Sequence, residues 1–140
     1  MFPNDTKFLI VDDFATMRKV IKKILTELGY NKIDEADDGK SAFPMLKEAS
    51  ASDHPYGLVI SDWSMPGLTG IELLKACKAD KQLIELPFIL ITAENEQKHI
   101  GEAAKAGVSD FVVKPFNTAT LKSKMEKVYL RHSAVTAKAS

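Results

Sequence analysis

Asp12, Asp13, Asp62, Thr92 and Lys114 each stand at the end of a short apolar run. Phe8-Leu9-Ile10-Val11 stops at Asp12-Asp13, and Leu58-Val59-Ile60-Ser61 stops at Asp62. Leu86-Pro87-Phe88-Ile89-Leu90-Ile91 ends in Thr92, and Asp110-Phe111-Val112-Val113 leads into Lys114-Pro115-Phe116. Three carboxylates brought to one place would repel, and one ammonium cannot neutralise them, so at least one pKa would be pushed up. A hard divalent cation resolves that conflict. Oxygen ligands with open water positions suit Mg²⁺ better than an all-protein Ca²⁺ cage, and the lack of His or Cys in the set argues against Zn²⁺. A carboxylate beside Mg²⁺ and a lysine is arranged to attack or hold a phosphoryl group, with a threonine hydroxyl to donate to one of its oxygens.

Each residue has a plainer reading as well. An aspartate just after a strand is often a helix cap, and Asp13 taken alone is explained as well that way. A lone threonine there is a turn or cap residue, and a lone lysine is a solvated charge. Joint placement on one rim is what argues for chemistry, and that placement depends on the elements that carry the residues.

Those elements alternate. The continuous apolar runs ending at Val11, Asp62, Ile91 and Val113 read as strands with both faces covered. Lys32-Ile33-Asp34-Glu35-Ala36 is a polar candidate that suits a sheet edge. Between them, Met17, Val20, Ile21, Ile24, Leu25 and Leu28 recur at helical spacing before Gly29. Further helices are expected from about Lys40 to Glu48, with Pro44 near its first turn, and from about Thr69 to Ala79. Ile100, Ala103 and Ala104 mark a short helix closed by Gly107, and Leu121, Met125, Val128 and Tyr129 mark the last one. Strands alternating with helices five times, with no internal repeat and one core, imply an α/β domain: a five-stranded parallel sheet with helices on both faces. Right-handed crossovers then bring every strand's carboxyl end to one edge, where such sheets place their ligand crevice. The domain is expected over residues 1–131, followed by a frayed tail over 132–140.

Composition fits this reading. The 140 residues are 45% hydrophobic and 27% charged, a globular profile. Nineteen basic and nineteen acidic side chains give no net charge, which argues against a nucleic-acid binder. The single cysteine, Cys77, is expected to be a small core residue, and a cytoplasmic location is expected. His54, in the polar stretch Ser50–Pro55, lacks a second ligand at metal spacing and reads as solvated. No apolar run reaches membrane-spanning length, and no signal peptide is apparent.

Taken together, Val11-Asp12-Asp13, Ile60-Ser61-Asp62-Trp63-Ser64-Met65-Pro66-Gly67, Ile91-Thr92-Ala93-Glu94 and Val113-Lys114-Pro115-Phe116 resemble the receiver domain of two-component response regulators, over about Lys7 to Leu130. Asp12-Asp13-Phe14-Ala15-Thr16-Met17-Arg18 and Ser61-Asp62-Trp63 are most similar to the stand-alone chemotaxis branch. The resemblance implies a flavodoxin-like strand order 2-1-3-4-5, the order the branch is known for. It implies Asp62 as phosphoacceptor for a histidine kinase. It also implies Mg²⁺ held by Asp13, Asp62 and the backbone carbonyl of Ser64, with Asp12 acting through water. Lys114 would contact the phosphoryl oxygens, and its bond to Pro115 would be cis. Thr92 and Phe111 would form the switch, turning toward the phosphorylated site together and altering a protein-binding face. A monomer is expected, with a flagellar motor switch protein or another downstream protein as partner, and with no nucleic acid or membrane.

Some residues depart from the chemotaxis pattern. Phe111 stands where motor-binding members carry Tyr, so it has no hydroxyl to offer a partner. Ser64 replaces an Asn bordering the attacking water of hydrolysis, Gln97 replaces a Lys, and the loop from Ala49 to Pro55 is longer. A phosphate sink or a regulator of another pathway is therefore the alternative within the family. Outside it, a flavodoxin-like flavin carrier would need Ser, Thr or Gly donors where Asp12 and Asp13 would repel a phosphate. An aspartate-nucleophile phosphatase would need an Asp-x-Asp motif after the first strand, and here the two are adjacent.

Overall fold

A computed structural model describes residues 1–93 and 98–139. Strands β1 (Lys7–Val11), β2 (Lys32–Ala36), β3 (Leu58–Asp62), β4 (Phe88–Ala93) and β5 (Asp110–Lys114) alternate with helices α1 (Ala15–Glu27), α2 (Gly39–Ser50), α3 (Gly70–Lys78), α4 (Lys98–Lys105) and α5 (Thr118–Ala139). The sheet order is β2-β1-β3-β4-β5 and every pairing is parallel, as expected. All five residues of β3 are buried, whereas β2 shows only Ala36 buried, as a polar edge strand should.

The single core expected from the sequence is in fact two clusters, because the continuous sheet separates its faces. Phe8, Ile10, Ile60, Ile89 and Val112 pack with Ile21 and Leu25 of α1 and Leu121, Met125 and Val128 of α5. Leu9, Val11, Val59 and Leu90 pack on the other face with Ala42 and Leu46 of α2 and Leu73, Leu74 and Cys77 of α3. Alternate residues of each strand thus serve opposite cores, which is why the runs lack polar interruptions.

Local signals explain several helix ends. Gly29, at φ +99°, follows α1 in the left-handed region that glycine tolerates. Asp38 accepts from the Ser41 amide at 2.7 Å to cap α2. Thr69 and Glu72 form a reciprocal capping box at α3, a Thr-x-x-Glu signal open to sequence reading. Pro44 lies beyond the first turn of α2, against expectation. It leaves the Lys40 carbonyl without its helical donor, and Lys40 is at the surface, where water can take that role. The helical backbone of α5 continues to Ala139, through the stretch expected as a tail, and His132 Nε2 lies 2.9 Å from Ser109 Oγ.

Candidate functional site

Register brings the chemistry together. Val11 of β1 pairs with Ser61 of β3, so the residues that follow, Asp12 and Asp62, leave adjacent strands at the same level. Asp62 pairs with Ile91, and Ala93 with Lys114, which sets Thr92 and Lys114 on the same edge. Asp12, Asp13 and Asp62 bring carboxylate oxygens within 4.8 Å of one another. Lys114 Nζ reaches Asp62 Oδ1 at 3.0 Å. The five residues singled out by spacing occupy one rim.

Asp12 is fully buried, and three of its four polar atoms are engaged. Its amide donates to the Ala36 carbonyl at 3.1 Å, its carbonyl accepts from Arg18 Nη1 at 2.6 Å, and Oδ1 accepts from the Phe14 amide at 2.9 Å. Its Oδ2 and Asp13 Oδ1 are buried with no hydrogen-bond partner among the described residues. Buried orphan oxygens are rare because each costs its lost hydration. Two of them facing a third carboxylate fit a cation site, and an all-oxygen donor set fits a hard ion such as Mg²⁺. The cap reading of Asp13 does not hold: the N-cap of α1 is Phe14, with no side-chain cap bond, and Asp12 makes the local bond to the Phe14 amide.

Burial, more than mutual repulsion, sets the acidities. It pushes the Asp12 carboxyl up to about 6, with the Phe14 amide opposing and the charge of Asp62 adding a smaller upward push. Burial also raises Asp62, opposed by the hydrogen bond and charge of Lys114. Ser64 is exposed in the loop that follows β3, and Gly67 in that loop takes φ +74°. The Lys114–Pro115 bond is cis.

Thr92 is 3% exposed, and among the described residues its hydroxyl has only a long contact, 3.5 Å, to the Ala93 carbonyl. Leu90 pairs with Phe111 and Thr92 with Val113, so Thr92 and Phe111 project from the same face of the sheet. Phe111 is half-buried, with Lys124 Nζ 5.0 Å from its ring centroid and 3.3 Å from Asp110. Gln97 and Glu94 lie outside the described residues. Cys77 is a core residue whose thiol burial pushes up to about 12, and His54 is exposed. Sequence reasoning passed over Arg18 and Glu35, which meet beside Asp12; the only signal was an arginine one turn into the helix that follows the acidic pair.

Comparison with known proteins agrees with this geometry. The family model of the response regulator receiver domain matches residues 8–126. Chemotaxis protein CheY-3 of Vibrio cholerae serotype O1 is 50% identical over 125 residues, 89% of this chain and 92% of that protein. Chemotaxis protein CheY of Pseudomonas aeruginosa is 49% identical over 125 residues, 89% of this chain and 97% of that protein. The solved structure of the chemotaxis response regulator CheY4 of Vibrio cholerae has a TM-score of 0.78 at 31% identity, covering 89% of this chain and 98% of that one.

Proposed function

The chain belongs to the response regulator receiver family, and from that premise we propose that Asp62 is its phosphoacceptor, charged by the phosphohistidine of a histidine kinase. Proteins of this family are signalling proteins and not classical enzymes. This chain would catalyse only its own phosphorylation and dephosphorylation. A carboxylate oxygen of Asp62 attacks phosphorus, the phosphorus–nitrogen bond breaks, and the electron pair leaves on the imidazole, which takes up a proton. Lys114, already 3.0 Å from Asp62 Oδ1, follows the negative charge onto a phosphoryl oxygen. Asp13, Asp62 and the Ser64 carbonyl would hold Mg²⁺, with Asp12 acting through water, and the ion would offset the charge of the phosphoryl oxygens.

One observation carries this reading: three carboxylates within 4.8 Å, two with orphaned buried oxygens and the third held by a lysine, at the carboxyl edge of a parallel sheet. The test is incubation with Mg²⁺ and acetyl phosphate, followed by intact mass. Wild type should gain one phosphoryl group and Asp62→Asn none; equal labelling of the variant refutes the assignment.

The output is a change in a protein-binding face formed by α4, β5 and α5, with Thr92 drawn to the phosphoryl group and Phe111 following it. Relatives named as chemotaxis proteins support a role in chemotaxis signalling. The chain would act in the cytoplasm as a monomer, with a flagellar motor switch protein or another downstream protein as its output partner. Phe111 favours a second reading, a phosphate sink or a regulator of another pathway, because it lacks the hydroxyl of motor-binding members. Capture by a motor switch protein, compared with and without beryllofluoride, separates the two.

A further inference from the structure

We propose that Arg18 is a positioning residue for the acidic site, clamping the Asp12–Asp13 peptide so that the two carboxylates are set for a divalent cation before it arrives. Arg18 Nη1 donates to the Asp12 carbonyl at 2.6 Å, while its Nε donates to Glu35 Oε1 at 3.1 Å. One planar guanidinium from α1 therefore ties the end of β1 to β2. Its side chain is 18% exposed, and Glu35 is also approached by Lys22 at 3.8 Å. Two further bonds complete the clamp, from the Asp12 amide to Ala36 and from the Phe14 amide to Asp12 Oδ1. Oδ2 is the polar atom of Asp12 left over, and it is buried and orphaned. The clamp thus spends every other polar atom of Asp12 on position. A lysine cannot replace it, since its three donors radiate from a single nitrogen and lack the rigid, spatially separated pair of the guanidinium.

The inference rests on the reading of the acidic cluster as a cation site, and the sign of its effect is diagnostic. Coulomb's law alone says that deleting a cation beside a cation site tightens metal binding. A positioning role says the reverse. Trp63, next to Asp62, gives a fluorescence titration with Mg²⁺ for wild type, Arg18→Met, Arg18→Lys and Glu35→Gln, with circular dichroism to establish folding. Both arginine variants should bind Mg²⁺ about 10-fold more weakly, the low end of outer-shell effects on metal affinity. Glu35→Gln keeps an acceptor and should change affinity by less than about fivefold. In the metal-free protein, hydrogen exchange of the Phe14 amide should accelerate in both arginine variants, a readout independent of the ion. Unchanged or tighter Mg²⁺ binding in Arg18→Met, or unchanged Phe14 exchange, overturns the positioning role. A wild-type protein with no Mg²⁺ response overturns the cation-site reading beneath it.

Discussion

Asp12 shows what a single buried carboxylate imposes on the protein. Its pKa lies near 6 in the folded chain against an ordinary 3.8, so between those values the folded state holds a proton that the unfolded state has released. Stability then falls as pH rises through that window and loses nothing further from this group above about pH 6. Asp12→Asn keeps an oxygen for the Phe14 amide but never ionises. Metal-free, it should exceed wild type in urea stability at pH 7 by on the order of 1–3 kcal/mol, with the gap closing toward pH 4. Asp62 is raised in the same direction and is present in both proteins; because its charge adds to the Asp12 shift, the gap reports Asp12 together with its coupling to Asp62. Saturating Mg²⁺ should stabilise wild type more than the variant. A variant no more stable than wild type at pH 7 would show that burial of the charge carries no cost.

At the scale of the element, α3 packs directly against Asp62, the proposed phosphoacceptor. The Gly70 amide donates to the Trp63 carbonyl at 2.9 Å, and a Cβ at Gly70 would lie 2.1 Å from the Asp62 carbonyl oxygen and 3.0 Å from Leu90 Cδ2. No side chain fits that contact, and the neighbour is backbone and cannot swing away. Gly70→Ala should therefore lower stability by about 1–3 kcal/mol, the usual range for overpacking. It should also slow phosphorylation by acetyl phosphate, because relief requires the β3 end to shift. Urea midpoints and mass-detected labelling rates check both; an unchanged pair of values would mean that α3 moves without dragging Asp62.

Over the whole molecule, the proposed switch would need two strands to move in concert. Thr92 and Phe111 share a sheet face but belong to β4 and β5, and Lys124 of α5 covers the Phe111 ring. A phosphoryl group can shift this arrangement only through contacts that differ between the two states. Thr92→Ala should still be labelled at Asp62. Its beryllofluoride-induced changes in the Phe111 and Lys124 resonances should shrink severalfold relative to wild type, since the differential contact is gone. Full-sized changes would move the relay elsewhere.

Much of this was legible in the chain itself. Apolar runs such as Phe8–Val11 and Ile89–Ile91 specify doubly covered strands, and their alternation with amphipathic helices specifies a parallel sheet with one carboxyl edge. That reasoning is local, and it sufficed to bring Asp12, Asp13, Asp62, Thr92 and Lys114 to one rim. Only the tertiary structure decided which oxygens are bound and which are orphaned. It gave the local bond at the start of α1 to Asp12 and not Asp13, made burial the leading cause of the raised acidities, and brought Arg18, paired with Glu35, to the Asp12 carbonyl. Hydrogen-bond partners from different elements are set by register and packing, and water exclusion by the whole fold, so neither can be read from the spacing of residues along one chain.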